Sequence, residues 1–332
     1  MVTKNTSTGH TLDYDAEQVA VVAAKLLKED AYLSALVSHD YQDEFLAPGS
    51  AGRPIKIKFP TILLPRERDI NDTTSSIQLD SIVEAGTTLN LDKKMVYSAV
   101  PLSEEDLNLN LKDVSAQVVR PQAAGIAEDI EDRLATKLLA VPNDAAFSVA
   151  NTPYDPANPV AFYSRLRKEL RDRGIPQDSL NLVIGTGLYL DLLNAKAIQD
   201  ASASGSTAAL REGSVGRVAG FTVIESTRVD EFELLAFHKA SVTLVTRAPA
   251  VPAGASFGET VNEGGYSIRY MRDYDADKTV DRSILATFVG VGILPTFKKK
   301  VNKTDRTVTF EEVANGGIVH LKDVNALRAP AE

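Results

Sequence analysis

Apolar residues recur every three or four positions along 103–141, SEEDLNLNLKDVSAQVVRPQAAGIAEDIEDRLATKLLAV. Leu107, Leu111, Val114, Val118, Ala123, Ala127, Ile130, Leu134, Leu138 and Val141 would lie on one stripe of a helix. Ser103, Glu104, Glu105 and Asp106 suit the positive end of its dipole, and Arg133 and Lys137 suit the other end. Pro121 lacks a backbone donor and crowds the preceding turn, so the pattern predicts a kink there, or a second helix starting there. A helix of about 30 residues would run ~45 Å at 1.5 Å per residue, the length of a strut.

The same periodicity predicts a helix over 16–38, with Val19, Val22, Ala23, Leu26, Leu27, Leu33 and Leu36 on its apolar face. That face fits either the chain's own core or a neighbouring subunit. Alternation takes over at 55–59, where Ile55, Ile57 and Phe59 flank Lys56 and Lys58, and again at Leu89, Leu91, Val96 and Val100. Between these lie about thirty mixed residues rich in turn formers, so 48–102 reads as a long hairpin with an elaborate tip. A two-stranded ribbon is marginal alone in water and needs a second surface.

Further along, the four prolines of 142–159 mark a loop. A helix follows at 161–174 with Gly174 as its stop, then a buried strand at 180–186 and a helix at 187–200. Residues 201–214 read as a small-residue loop, and 216–231 hold a strand near Phe221, Val223 and Ile224. Residues 232–249 read as strand, turn and strand, and 249–265 as a loop. A long strand pair spans 266–295 around the turn DYDADK, its second strand apolar enough to be central. The tail, 296–332, has a basic start and short strands at RTVTFEEV and GGIVHL.

Composition narrows the function classes. The chain has 332 residues, 44 % of them hydrophobic, with net charge −9, which suits a globular protein and not a polybasic nucleic-acid binder. It has no cysteine, so disulfides, thiolate metal sites and thiol nucleophiles are excluded. No apolar run approaches a membrane span, and MVTKNTSTGHTLDYD lacks the apolar core of a signal peptide, which points to a cytoplasm-like space.

Candidate chemistry is sparse. His10, His39, His238 and His320 are scattered, and no HxxxH, HExxH or GxSxG pattern occurs. Gly185 and Gly187 follow a strand and open a helix, but Leu190 breaks the GxGxxG pattern. Asp273, Asp275 and Asp277 resemble the opening of a calcium loop without its glycine or closing glutamate. Arg165, Arg167, Lys168, Arg171 and Arg173 alternate with Glu169 and Asp172, which reads as a solvated face and not a phosphate site. No catalytic, cofactor-binding or metal-ligating residue is assigned, and no cofactor is expected.

GRVAGFTVIESTRV (216–229), LLAFHKASVTLVTRAPAVP (234–252) and YSIRYMRDYDADKTVDRSILATFVGVGIL (266–294) resemble the later half of tailed-bacteriophage major capsid proteins, with most similarity to the P22-type coat group. The order of arm, hairpin, long helix and later strands is similar too. The resemblance implies an α+β, HK97-like fold. It implies an N-terminal arm (1–47), an extended β-hairpin loop lying on a neighbouring subunit (48–102), a peripheral domain with the spine helix (103–174 and 265–295), an axial domain (175–264) and a C-terminal extension (296–332). The stretch 175–264 is too short for the extra domain that some P22-type coats insert.

The implied function is structural: self-assembly into pentamers and hexamers of an icosahedral shell around double-stranded DNA. The implied place is the virion, after assembly in the bacterial host cytoplasm. The implied partners are other copies, a scaffolding protein, a portal protein, a decoration protein and packaged DNA contacted non-specifically, with no membrane. The alternative on the same fold is an encapsulin-like nanocompartment shell. A third reading is a hydrolase using His238. Lys56, Lys58, Lys93 and Lys94 are available for side-chain crosslinks, although no partner asparagine is assigned.

Overall fold

The computed structural model describes residues 16–30, 32–40, 55–59, 67, 69–74, 76, 77, 79, 85–89, 95–102, 115–196, 216–255, 257–275, 278, 280–302 and 307–328. His10, Leu107, Leu111, Val114, Lys93, Lys94, Asp277 and the loop 201–214 lie outside them, as do the side chains of Lys56 and Lys58.

The spine is helix α2, Arg120–Leu139, with Pro121 in its first turn. A π-helical turn, Ser115–Val119, leads straight into it. The missing donor of Pro121 costs nothing at a helix start, where the first N–H groups have no partner in the helix anyway. Of the predicted stripe, Val118, Ala123, Ala127, Ile130, Leu134, Leu138 and Val141 are all buried. The twenty residues of α2 run about 30 Å.

Helix α1 spans Ala16–Asp30 and ends earlier than its apolar pattern suggests. A 3-10 turn, Ser34–Leu36, follows and receives its capping from α2. Both oxygens of Glu131 accept backbone N–H groups, from Leu33 at 2.7 Å and Ser34 at 2.8 Å. Ala20, Ala23, Ala24 and Leu27 pack fully buried against this chain's own core, with α2 and the strands Phe257–Glu263 and Tyr266–Asp275 as neighbours. The small residues let α1 lie close to the surfaces it covers. The segment expected to be an arm therefore belongs, over 16–38, to the body.

The large sheet has the order β3-β11-β10-β9 (Met95–Leu102, Val280–Ile293, Tyr266–Asp275, Phe257–Glu263). Its central strand is β11, as its apolar run predicted. One edge of β11 pairs with β3, and the other carries β10 and then β8, Val242–Arg247. Alternation sends Tyr266, Ile268, Tyr270, Leu285 and Val289 inward onto α1 and α2. Gln122 fastens α2 to the sheet through the Ser98 and Ser283 carbonyls, at 3.1 and 2.9 Å, and accepts the Ser283 hydroxyl at 2.9 Å.

The small sheet has the order β14-β7-β4-β6-β5 (Val319–Leu321, Leu234–His238, Leu180–Ile184, Phe221–Glu225, Arg217–Val218), with β4 and β6 parallel. Strand β4 is buried on both faces. Leu180, Leu182 and Ile184 face a second core made with α3 (Pro159–Asp172) and α4 (Thr186–Asn194), while Val183 faces the spine-helix core. Helix α3 ends as predicted, with Gly174 at φ 87°.

Several expectations are corrected. The second half of the predicted hairpin is two strands: β2, Ala85–Leu89, pairs with β1, Ile55–Phe59, and β3 joins the large sheet. Residues 257–263, read as loop, form edge strand β9, because β10 leaves an edge to pair with and Phe257 and Val261 turn to the spine-helix core. Residues 232–249 form strand, turn and strand as expected, and the 3-10 turn Lys239–Ser241 carries the chain from β7 in the small sheet to β8 in the large one. Two cores organise the chain. Strands β8 and β9 belong to the large sheet, and α3 packs on the small one. The tail carries the expected short strands at β13 (Thr307–Val313) and β14; β13 pairs with β12 (Thr296–Asn302), and β14 completes the small sheet.

Candidate assembly surfaces

The strands β1 and β2 form a two-stranded sheet of their own. In the segment between them Ile70 is 96 %, Ile77 77 % and Leu79 91 % exposed. Three solvent-facing aliphatic side chains on one connection are costly unless something covers them, since burying each would gain about 1.5–3 kcal/mol. Sequence reading missed them individually. The signal was present as isolated Ile and Leu in a stretch otherwise made of turn formers.

A second uncovered surface lies on β3, whose outward positions include Met95 and Tyr97, the latter 62 % exposed. Their cross-strand partners on β11 are Phe288 and Ala286. The other half of this outer face is covered by the chain after β8. There Ala248 N–H donates to Ser267 Oγ at 2.9 Å and Arg269 donates to the Ala250 carbonyl at 2.7 Å.

The residues considered for chemistry are dispersed among structural tasks. His39 packs beside Tyr266 with Nε2 3.0 Å from the Ser34 carbonyl, and burial lowers its pKa. His238 accepts the Ala240 N–H at Nδ1, 3.1 Å away, and burial lowers its pKa too. In the neutral ring that hydrogen bond places the proton on Nε2, so this nitrogen has no lone pair to act as a base. His320 is fully buried between the Val141 carbonyl, 2.6 Å, and Glu233, 2.7 Å.

The glycine turn before α4 is likewise occupied. Gly187 and Leu188 N–H donate to the Glu231 carbonyl at 3.1 and 3.3 Å, and Gly185 N–H donates to the Glu233 carbonyl at 3.1 Å. A Cβ on Gly185 would stand 1.9 Å from the Asp230 carbonyl oxygen. The glycine is there for close backbone approach, and the helix N-terminus faces protein carbonyls where a phosphate would have to sit.

At the end of α3, its cap Arg173 pairs with Asp144 at 2.7 Å and Glu169 at 3.1 Å, Lys168 with Asp172 at 2.6 Å, and Arg171 donates to the Ile175 carbonyl at 2.9 Å. Asp273 and Asp275 pair with Arg282 at 2.5 and 3.4 Å, which neutralises the would-be calcium carboxylates. An open cavity of about 570 Å³ borders Asn143, Arg173, Lys298 and Glu311. Its cations are engaged, Arg173 as above and Lys298 with the Asp172 carbonyl at the end of α3. Among the described residues no group of three or more metal-ligating side chains comes together, and no helix is long and apolar enough to cross a membrane.

No protein-family model matches the chain, and no curated protein matches it in sequence. Solved structures do match in fold. A chain from Mycobacterium phage Che8 aligns with TM-score 0.55 and 15 % identity, over 99 % of this chain and 98 % of that one. A chain from the capsid of cyanophage P-SCSP1u aligns with TM-score 0.52 and 12 % identity, over 82 % and 83 %. A virus-like particle from Pyrococcus furiosus aligns with TM-score 0.46 and 11 % identity, over 92 % and 97 %. With its spine helix, separate two-stranded ribbon and two interleaved sheets, the chain has the HK97-like fold seen in phage capsid proteins.

Proposed function

We propose that this protein is the major capsid protein of a tailed phage, a structural subunit that assembles with copies of itself into an icosahedral shell around double-stranded DNA. The observation that carries this reading is the apolar tip of the β1–β2 ribbon, with Ile70 and Leu79 more than 90 % exposed. A tip of this kind on a two-stranded ribbon is a surface made for another molecule. Repetition of one such heterologous contact closes into rings and shells. The large sheet with α2 would be the peripheral unit and the small sheet with α3 and α4 the axial unit. A net charge of −9 suits a wall that holds DNA without gripping it. Scaffolding, portal and decoration proteins would be the other partners, in a host cytoplasm and then the virion.

Replacing Ile70 and Leu79 together by serine tests this. Both side chains are exposed, so the melting of the unassembled subunit should move by no more than about 0.5 kcal/mol. Sedimentation and negative-stain microscopy should show wild-type shells and none from the variant. Shells from both proteins would remove the ribbon tip from the account. DNA within the shell separates a capsid from a nanocompartment, which would hold a protein cargo.

A further inference from the structure

The chain passes from the small sheet to the large one through the turn Lys239–Ser241, between β7 and β8. The turn is tied to both sheets. Lys239 N–H donates to the Ser179 carbonyl, just before β4, at 3.0 Å, and Leu294 N–H, just past β11, donates to the Ser241 carbonyl at 2.8 Å. Ser38 N–H donates to the Val242 carbonyl and Leu244 N–H to the Ser38 carbonyl, both at 2.9 Å. Two histidines flank this crossing. His238 caps the turn: its side chain is 12 % exposed, and Nδ1 accepts the Ala240 N–H at 3.1 Å. His39 follows Ser38, and its Nε2, 3.0 Å from the Ser34 carbonyl, carries the hydrogen because a carbonyl can only accept.

We propose that these two rings make the crossing an acid-sensitive joint, closed while both are neutral and loosened when they are protonated. In each ring the second hydrogen has to go onto Nδ1. On His238 that nitrogen already faces the Ala240 N–H, so a hydrogen there ends the cap. Its Nε2 has no hydrogen-bond partner among the described residues, and Asp178 Oδ2 stands 3.9 Å away, so the charged ring gains by turning from the cap to Asp178. On His39, Nδ1 is buried without a partner, packed on Gly265, where a Cβ would stand 3.1 Å from it. The surrounding charges divide. Lys239 opposes a charge on His39, and Lys28 of α1 lies against the adjoining Gly264. The Ser34 and Gly265 backbone favours that charge, as does Asp40, which already accepts the Ser38 hydroxyl at 2.6 Å. Asp178 favours a charge on His238. Burial outweighs these in both rings and holds each below the ordinary 6.5.

A ring held below its ordinary value in the closed joint takes up its proton on opening. The joint is therefore at full strength above about pH 6.5 and weakens as pH falls from there. Loosening it frees the tie between the two sheets at the turn, while the spine helix and its core stay in place. The device belongs to the single subunit, so it stands or falls apart from shell assembly.

Hydrogen exchange of the Ala240, Leu244 and Leu294 amides in the unassembled full-length protein tests this, each rate being divided by the free-peptide rate at the same pH. The wild-type opening constants should be level above about pH 6.5 and rise below it, by up to about tenfold per pH unit for each histidine that titrates. Amides of α2 should keep their protection. His238→Asn keeps a side-chain oxygen for the Ala240 N–H, and His39→Gln keeps an N–H for the Ser34 carbonyl, without a titrating ring in either place. The double variant should be level throughout. A level wild type, the same rise in the double variant, or an equal rise along α2 would overturn the proposal. Should the double variant fail to fold, nitrogen-15 histidine spectra of the wild type decide: both rings should be mainly neutral at about pH 6.5, with the hydrogen on Nε2, and a ring half-protonated at or above that pH refutes the joint.

Discussion

Glu131 is a buried carboxylate in the middle of the spine helix, and its removal should uncouple α1 from the core. The side chain is 2 % exposed, and it accepts the Leu33 and Ser34 N–H groups at 2.7 and 2.8 Å. Those donors open the 3-10 turn after α1, which has no cap of its own. A hydrogen bond to a charged group contributes about 1.5–3 kcal/mol, so two lost bonds amount to about 3–6 kcal/mol. Water entering the space left by Glu131→Ala would recover part, leaving about 3–5 kcal/mol. Glu131→Gln keeps one acceptor and turns its amide hydrogens toward the second donor, for a loss of about 2 kcal/mol. Urea unfolding of the unassembled subunit measures both. A loss below about 0.5 kcal/mol for the alanine variant, or a larger loss for glutamine than for alanine, would refute the reasoning.

Other perturbations separate close-packed contacts from solvated ones. Gly185→Ala should cost at least about 3 kcal/mol and abolish soluble subunit, because its Cβ would meet the Asp230 and Glu231 carbonyl oxygens at 1.9 and 2.6 Å; a normal melt would refute this. Arg282→Ala at the β10–β11 tip should cost under about 1 kcal/mol, since its pairs with Asp273 and Asp275 are partly solvated; thermal melting checks it. Burial raises the pKa of Tyr154, Tyr163 and Tyr266. A folded-state value above the unfolded one means stability that is complete below about pH 10 and lost as pH rises further. In an ultraviolet titration of the ten tyrosines, these three should ionise late, in one step with unfolding; smooth early ionisation of all ten would contradict the burial.

Much of the fold was legible because its strongest elements bury one repeated face. The spine stripe from Val118 to Val141, the Gly174 stop and the apolar β11 are local signals that the tertiary structure reinforces. What escaped was decided at a distance. Helix α1 stops before its apolar pattern does because Glu131, about a hundred positions later, caps the turn that follows. The short, polar β9 is a strand because β10 leaves it an edge to occupy, and β7 and β8 part because they join different sheets. The same holds for the surfaces. Ile70 and Leu79 were readable as apolar residues out of place, whereas the meeting of His320, Glu233 and Val141 has no trace in sequence spacing.

The most direct test of the account is an electron cryomicroscopy map of the purified, assembled protein. The account predicts a closed icosahedral shell in which residues 67–79 of each subunit rest on a neighbouring copy. A protein that stays monomeric under every assembly condition, or a shell whose ribbon tips contact no neighbour, would contradict it.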